Sequence, residues 1–440
     1  MKSSNANTAG RALALLATMT CLSNAAWAAS SAQLQWEQKP TENFIGREVA
    51  VDSAGSVYTA GDDANTRYVV AKYSAQGSLQ WRFQYPNPGV MTNAVDLDAA
   101  GQVVFAGTSF QPAGPESGTQ DLVLVQLDPA GKLRWQLLYP APEGKDHYAV
   151  ANFIVHDAQG NLYVACETGY TVGEGPGFGQ PAPYVRDIVL LKVSPDGALL
   201  WTGRYPSALE GETLASAHRG GLVLDRSGNL YLAADFAVLK FDPAGKLLWK
   251  QSVETRALAL DPDDNLIVTS PRGTVRLSPD GKELARVNAG GTLLVVRPDG
   301  IWTSGVPGET LRLDASLRIL WRAPLSTSPD DEGDQGILDL AVDASGSAHV
   351  AGYSGRYYGL IHSYQNYASD YIVVKYDPAG KQAWLARRER TTTAQAIALD
   401  ATGAVLVTGS SGQVVQYREV AVPPAKPACP WWNPSCWSRR

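Results

Sequence analysis

The chain has five histidines, and histidine is the residue type best suited to proton transfer near neutral pH. A histidine with a nearby tyrosine could act as base and acid in a polysaccharide lyase or hydrolase. Three of the histidines lie in connections between apolar segments, and these are the candidate catalytic residues: His147, His218 and His362. Their surroundings contain no G-x-S-x-G, no H-E-x-x-H and no paired-carboxylate pattern, so the sequence leaves open whether the protein is an enzyme.

Tyrosine-rich segments are the second chemical feature of the sequence. Tyrosine presents a flat apolar ring with a hydroxyl group, which suits both protein and sugar recognition. We predict that the ligand-binding residues are Tyr353, Arg356, Tyr357, Tyr358, Tyr364, Tyr367, Tyr170, Tyr184 and Tyr148. The alternative is that these rings only pack their long connections onto the rest of the fold.

One segment is crowded with carboxylates, and carboxylate oxygens are the ligands that Ca²⁺ prefers. The candidate metal ligands are Asp330, Asp331, Glu332 and Asp334. Their spacing does not match the EF-hand loop, so a solvated acidic loop is the alternative interpretation. Calcium is the one metal that the sequence suggests.

In an oxidising compartment, the two cysteines near the C-terminus are predicted to form a disulfide. Cys429 and Cys436 could pair around a short loop near the C-terminus. Cys166 lies in an apolar strand pattern, which predicts a buried and unreactive thiol.

The N-terminal segment is typical of a secretory signal peptide. Lys2 and Arg11 precede an apolar run from Ala12 to Leu22, and an A-x-A cleavage site ends at Ala28. We therefore expect residues 1–28 to be a cleavable Sec-type signal, and the mature protein to be secreted or periplasmic in a bacterium.

Composition excludes several classes of protein. A formal net charge of −6 without a basic stretch argues against a nucleic-acid partner. No apolar run after the signal is long enough for a membrane-spanning helix. The 42 glycines and 27 prolines indicate many turns, and hence many short strands.

Two sequence boxes alternate along the chain. The first is an apolar strand, an Asp turn and a second apolar strand, and it occurs around Asp52, Asp98, Asp157, Asp225, Asp261, Asp299, Asp343 and Asp400. The second is a strand, a Pro-Ala-Gly-Lys-like turn and a strand that carries Trp36, Trp81, Trp135, Trp201, Trp249, Trp321 or Trp384. One degenerate copy has Ala285 in place of the tryptophan. We predict that the tryptophans are packing anchors between neighbouring sheets.

Four strands per unit and a short period predict an all-β fold, a single β-propeller of eight four-stranded blades. Because the chain starts with a lone Trp-bearing strand near 34–37 and ends with three strands, the N-terminal strand should close the ring. Seven blades is the alternative, if 286–321 is one distorted blade. The propeller would span 29–421, followed by a Pro-rich linker and a Cys/Trp tail at 422–440.

The units resemble the bacterial β-propeller repeat called SBBP, whose pattern runs Asp-x-x-Gly-Asn-x-Tyr-Val-x-Gly and then Lys-Tyr-Asp-x-x-Gly-x-x-x-Trp. Val342–Gly352 with Lys375–Trp384 carry this pattern well. The stretch Lys240–Trp249 is also similar to the tryptophan-docking repeat of pyrroloquinoline-quinone dehydrogenases. The sequence departs from that family, because it has neither a vicinal Cys pair nor a Cys-x-x-Cys-His haem motif, so no quinone cofactor is expected.

We label the strands of a blade A to D from the axis outward. The A–B and C–D turns, on one face, are short, whereas the B–C and D–A connections on the other face carry the insertions: 108–120, 140–151, 167–186, 206–220, 322–338 and 353–369. Function on a repeat scaffold usually lies in such loops. We predict a non-catalytic protein that binds a protein or glycan partner through this face. The alternatives are an extracellular polysaccharide lyase or hydrolase, and a structural envelope protein attached through its C-terminal tail.

Overall fold

The computed structural model of the chain describes residues 30–39, 44–63, 67–86, 91–98, 101–110, 120–140, 145–171, 184–206, 221–305, 308–325, 335–361, 364–388 and 393–421. Within these ranges every regular element is a β-strand, and no helix occurs. The short apolar segments between glycine- and proline-rich turns therefore predicted the class of secondary structure correctly.

The first half of the chain forms a lone strand and four blades. The lone strand is β1 (Ser30–Gln38). Blade one is β2 (Phe44–Val51), β3 (Val57–Asp63), β4 (Tyr68–Tyr73) and β5 (Leu79–Gln84). Blade two is β6 (Met91–Leu97), β7 (Val103–Phe110), β8 (Gln120–Leu127) and β9 (Leu133–Tyr139). Blade three is β10 (Lys145–His156), β11 (Leu162–Thr171), β12 (Tyr184–Val193) and β13 (Leu199–Pro206). Blade four is β14 (Leu222–Leu224), β15 (Leu230–Ala234), β16 (Ala237–Phe241) and β17 (Leu247–Ser252).

The second half continues the same order. Blade five is β18 (Ala257–Leu260), β19 (Leu266–Ser270), β20 (Gly273–Leu277) and β21 (Glu283–Val287). Blade six is β22 (Leu293–Arg297), β23 (Gly300–Gly305), β24 (Glu309–Leu313) and β25 (Ile319–Pro324). Blade seven is β26 (Gln335–Val342), β27 (Ala348–Ile361), β28 (Tyr364–Tyr376) and β29 (Gln382–Arg388). The last strands are β30 (Ala394–Leu399), β31 (Val405–Gly409) and β32 (Val414–Ala421).

The strand pairing confirms the predicted propeller. Within the described residues, β1 pairs with β32 and completes an eighth blade in the order β30, β31, β32, β1. Blades five and six are separate four-stranded sheets, which favours eight blades over seven. Blades two and three are joined by one parallel bridge between Gln120 of β8 and Tyr148 of β10.

The hydrophobic core is divided into layers between blades. Eight clusters of buried apolar side chains each combine residues of two neighbouring blades within the described part of the chain. One of them, for example, packs Phe153 of blade three against Leu232 and Phe241 of blade four. A blade therefore buries both of its faces only when the next blade is in place.

The Asp turns are held by hydrogen bonds that repeat from blade to blade. In blade four, the Oδ1 atom of Asp225 accepts from the backbone N–H groups of Ser227 at 2.9 Å and Asn229 at 2.8 Å. Gly228 adopts a φ of 78°, which a side chain would strain. The carboxylate and the glycine together impose the chain reversal, which explains the Asp-x-x-Gly spacing.

The tryptophans of the D strands join each blade to the next. The Nε1 atom of Trp135 in blade two donates to the carbonyl of Pro195, in the C–D turn of blade three, at 2.9 Å. The indole ring covers Gly197 of the same turn, where a Cβ atom would lie 2.7 Å from the ring. Equivalent indole hydrogen bonds to the next C–D turn are made by Trp36, Trp81, Trp249 and Trp321. The turn glycine is therefore needed for the ring contact as well as for its positive φ.

The junction between blades five and six replaces this contact with a different pair. Blade five has Ala285 at the tryptophan position, and the C–D turn of blade six has Leu317 at the glycine position. Leu317 keeps the positive φ, at 62°, and only 2% of its surface is exposed. Both residues belong to the same interblade cluster, so the leucine fills the space that an indole fills elsewhere.

A double-mutant cycle tests whether Leu317 compensates for the missing tryptophan at position 285. Leu317→Gly should lower the free energy of unfolding by about 2 to 4 kcal/mol, because it empties a buried site. Ala285→Trp alone should also destabilise the protein, since the indole would collide with Leu317. The double variant should recover most of the loss, because it recreates the Trp–Gly pair of the other junctions. Denaturant unfolding of the four proteins measures the coupling, and additive losses would contradict the interpretation.

Ring closure removes one indole hydrogen bond. Trp384 of blade seven faces blade eight, whose C and D strands, β32 and β1, belong to opposite ends of the chain. Blade eight therefore has no covalent C–D turn to offer a carbonyl. Trp384 is buried, and its Nε1 atom has no hydrogen-bond partner within the described residues.

Phenylalanine substitutions should distinguish Trp384 from the other anchors. Trp135→Phe removes a hydrogen bond to Pro195, whereas Trp384→Phe removes a buried N–H group without a described partner. We expect Trp135→Phe to reduce stability by about 1 kcal/mol more than Trp384→Phe. Thermal or denaturant unfolding measures the difference. Equal losses would mean that Trp384 finds an acceptor outside the described residues.

The D strands, at the outer edge of the blades, carry a β-bulge and exposed leucines. A β-bulge precedes the tryptophan position in the D strand of blades one to seven. The bulged residues are Gln80, Arg134, Leu200, Leu248, Leu284, Leu320 and Ala383. Bulges interrupt the ladder of an edge strand and so hinder pairing with another chain. The leucines at these bulges are exposed, and so are Leu79, Leu133, Leu199 and Leu247 beside them in the D strands.

Candidate functional site

The two faces of the propeller differ in shape and chemistry. The A–B and C–D turns form one face, which we call the turn face. The B–C and D–A connections form the other, which we call the insert face. On the insert face, strand β27 of blade seven is 14 residues long, whereas β19 at the same position in blade five has 5 residues.

A cluster of four side chains repeats along the turn face. In blade four, the Tyr231 hydroxyl donates to Asp225 at 3.3 Å, and the Nζ atom of Lys240 lies 3.8 Å from the same carboxylate. This Nζ atom is also 4.8 Å from the Tyr231 ring centre, and Trp249 meets that ring edge-on at 5.9 Å. Burial, together with the charge of Asp225, raises the pKa of Tyr231. These acid and base groups are thus engaged in holding the blade together.

The same arrangement occurs in two other blades. Blade one uses Asp52, Tyr58, Lys72 and Trp81. Blade three uses Asp157, Tyr163, Lys192 and Trp201.

Blade seven substitutes a histidine for the tyrosine. The Nε2 atom of His349 lies 3.0 Å from the Oδ2 atom of Asp343, and its ring is 5.9 Å from that of Trp384. Burial lowers the pKa of His349. Burial raises the pKa of Asp343, but hydrogen bonds from His349 and Ser345 lower it more, so the net shift is downward. His349 is therefore a packing residue.

A histidine-to-tyrosine exchange tests the pH dependence of this cluster. Because the folded state lowers the pKa of His349, the unfolded chain binds the proton more readily below about pH 6.5. The contribution of His349 to stability is therefore complete above that pH and is lost as the pH falls. His349→Tyr recreates the cluster of blades one, three and four and should flatten the stability profile between about pH 7 and 5. Unfolding midpoints across this range measure it, and an unchanged slope would contradict the assignment.

The insert-face edge of blade three brings together three polar side chains from adjacent strands. The Tyr148 hydroxyl on β10 donates to the Oε1 atom of Glu167 on β11 at 2.6 Å. The guanidinium of Arg186 on β12 lies 3.9 Å from the same oxygen. The carboxylate thus joins a tyrosine to an arginine, and Tyr148 is part of a charged group at the rim of the blade.

Tyr170 belongs to a second group, on the other side of the same sheet. Gly169 pairs with Tyr148, and the side chain of the next residue, Tyr170, points to the opposite face of the sheet. The guanidinium of Arg204 lies over the Tyr170 ring, 5.2 Å from its centre, and is 2.5 Å from the Oδ2 atom of buried Asp187. Burial opposes the charge of Arg204, but the hydrogen bond and charge of Asp187 raise its pKa. Both groups hold an arginine and a tyrosine in defined positions.

The predicted insertion of blade seven is largely a two-stranded ribbon. Strands β27 and β28 pair well beyond the rest of the blade, with Arg356 opposite Ala368 and Tyr357 opposite Tyr367. Tyr353, at the base of the ribbon, is half-buried, and its ring packs against the backbone of Gly336. The ribbon gives this tyrosine-rich segment a defined register, which a loop would lack.

Several of the predicted site residues lie wholly or partly outside the described part of the chain. The side chains of His147, Arg356, Tyr357, Tyr358, Tyr364, Tyr367 and Tyr184 lie outside the described residues, although their backbones belong to strands. Also outside are His218, His362, Asp330, Asp331, Glu332, Asp334, Cys429 and Cys436.

The described part of the chain contains no group of three or more metal-ligating side chains. It also contains no helix long and apolar enough to cross a membrane. Cys166 is buried without a disulfide partner, and burial raises the pKa of its thiol.

One histidine contact was not predicted. The Nδ1 atom of His156, at the end of β10, lies 2.5 Å from the Oδ2 atom of Asp96 on β6. Both residues lie on innermost strands, so the pair joins blades two and three beside the propeller axis. No sequence spacing indicates this contact, because it depends on how the blades are arranged around the axis.

Comparison with known proteins supports the β-propeller fold, and part of the chain matches one family model. Residues 23–173, about a third of the chain, match the family model described as outer membrane protein assembly factor BamB. No curated protein matches the chain in sequence.

Solved structures similar to this chain include propellers. The Dos1 propeller is 13% identical, with a TM-score of 0.53 over 88% of this chain and 95% of that chain. The WD40 propeller domain of Doa1 is 10% identical, with a TM-score of 0.47 over 88% of this chain and 97% of its own. A protein of unknown function from Bacteroides caccae is 16% identical, with a TM-score of 0.39 over 76% of this chain and 94% of its own. The match to the Dos1 propeller supports the β-propeller fold and says nothing of function.

Proposed function

We propose that this protein is a non-catalytic binding scaffold of the bacterial envelope, secreted or periplasmic, that holds a partner protein on its insert face. The observation that carries the proposal is the contrast between the two faces. In blades one, three and four the acid and base groups of the turn face are engaged in one repeated cluster, with a histidine variant in blade seven. The insert face varies from blade to blade in strand length and in its polar groups.

The chemistry of the insert face suits protein recognition. Arginine and tyrosine are the residues most often found at the centres of protein interfaces. On blade three, Arg186 and Arg204 are each positioned by a carboxylate, so less conformational entropy is lost when they bind. A positioned arginine beside a tyrosine ring offers both hydrogen bonds and apolar area.

The ribbon of blade seven favours a protein over a glycan. Strand β26 pairs with β27 as far as Ser354, and β29 pairs with β28 as far as Tyr371. Beyond Gly355 and Ser369, no third strand pairs with the ribbon among the described residues. An isolated pair of strands is only marginally stable in water, and its backbone edges can bind an extended peptide.

The family match is consistent with an envelope role. The matching family is described as an outer membrane protein assembly factor. By analogy, we infer that the partner of this chain belongs to the machinery that assembles envelope proteins, and that the predicted signal peptide directs the chain to that compartment.

A shortened ribbon tests the proposal. Because Arg356 pairs with Ala368, an Asn-Gly turn can replace residues 357–367 without changing the register. The ribbon lies outside the interblade layers, so the unfolding midpoint should change by no more than a few degrees. Photo-crosslinking in cells, with the reactive residue in place of Phe236, which is 58% exposed in the B–C turn of blade four, should give one protein adduct. The shortened ribbon should reduce the yield of this adduct at least about tenfold.

The matched control places the crosslinker on the turn face, at exposed Gln159 of blade three. This position should give no specific adduct. Equal adducts from positions 159 and 236 would contradict a binding role of the insert face. Binding on a glycan array that depends on the ribbon, without any protein adduct, would assign the face to a glycan instead.

A further inference from the structure

A cavity of about 340 Å³ opens beside the propeller axis. It is lined mainly by the innermost strands of blades one to four, β2, β6, β10 and β14. At the other seven junctions, neighbouring innermost strands pack against each other, whereas in the described residues β6 packs more closely against β3 of blade one than against β2. The cavity therefore extends from the axis into a gap between blades one and two, and its volume is in the range of small-ligand sites.

The lining combines apolar walls with a few polar groups. The walls include Val95, Leu97 and Phe153. The polar lining residues are Glu48, Tyr58, Thr59, Asp96 and Asn152. The residues that line the cavity include two carboxylates and neither lysine nor arginine. The formal charge of the lining is thus negative, and its polar groups can accept hydrogen bonds.

β-Bulges help to set the polar groups in place. The register of β2 with β3 shifts between Gly46 and Glu48, and that of β10 with β11 shifts between Ala151 and Phe153. Asn152 is the extra residue of the second bulge and lines the cavity. Bulges of this kind redirect a side chain and are frequent beside binding sites.

Neighbouring charges have their own partners. Arg47, next to Glu48, is hydrogen-bonded to Asp62. His156 contacts Asp96 from blade three through Nδ1, at 2.5 Å, and both side chains remain partly exposed. The Asp96 carboxylate is therefore positioned by a neighbouring blade and is still accessible.

We propose that this cavity binds an organic cation, a guanidinium or primary ammonium group on a short aliphatic stem. The stem would lie on the apolar walls, and the charged head would meet the carboxylates and the carboxamide oxygen of Asn152. The cation could be a free small molecule or a lysine or arginine side chain of a bound protein. None of the insert-face groups lines the cavity, so binding of a free cation does not depend on the proposed partner.

Calorimetric titration of the mature protein at low ionic strength tests the proposal with two probes of the same shape. The first probe is n-butylguanidinium, and the second is neutral n-butylurea. The cation should bind at least about tenfold more tightly than the urea, since hydrogen bonds to charged groups are stronger than those between neutral groups. Equal binding of the two probes, or no binding of either, would overturn the proposal.

Three substitutions locate the binding. Glu48→Gln and Asp96→Asn should each weaken n-butylguanidinium at least about tenfold and leave n-butylurea unchanged. Asp263→Asn is the matched control, because this carboxylate is 82% exposed on a turn of blade five and should have no effect. Unfolding midpoints show whether each variant is folded. If both cavity variants bind the cation as the wild type does, the assignment is wrong.

Competition distinguishes the two sources of the cation. If the occupant is a side chain of a partner protein, excess n-butylguanidinium should lower the yield of the insert-face crosslink. If the occupant is a free molecule, the crosslink should persist, and the crosslinked complex should still bind the probe. If n-butylguanidinium neither lowers the crosslink yield nor binds to the crosslinked complex, the proposed cation site is wrong.

Discussion

The contact between a tryptophan of one blade and the C–D turn of the next is the interaction on which the rest of the structure depends. A four-stranded sheet has two apolar faces and cannot bury both by itself. The indole covers the turn glycine and donates to a turn carbonyl, as Trp135 does to Pro195, so it sets the distance and rotation between sheets. Repeated around the ring, this contact sets the angle between blades and divides the core into layers.

This construction separates stability from recognition. The cluster of aspartate, tyrosine, lysine and tryptophan that repeats in blades one, three and four lies on the turn face, where its polar groups bind one another. Strand ends on the insert face contribute little to the layers, so they can lengthen without disturbing the ring. Blade seven extends into a ribbon, and blade three carries two arginine–carboxylate groups on the two sides of its edge.

Departures from the repeat are informative because each has a local physical reason. Leu317 occupies the space left by Ala285, which keeps the junction of blades five and six filled. Trp384 lacks a described acceptor because blade eight is assembled from both chain ends. The gap beside β2 and β6 opens the axial cavity, and Glu48, Asp96 and Asn152 are among the residues that line it.

The sequence by itself determined the repeat, the strand order and the turns, because these follow from short-range rules. An aspartate caps the next two to four residues, a glycine supplies a positive φ, and apolar residues alternate with the pleat, all within one unit. Ring closure by β1 was also predictable, since eight tryptophan-type strands had to match eight Asp turns. The sequence did not predict three contacts: Tyr148 with Glu167, His156 with Asp96, and Ala285 with Leu317. They join different strands or blades, and only the rotation between blades and the bulges in the innermost strands bring those residues together.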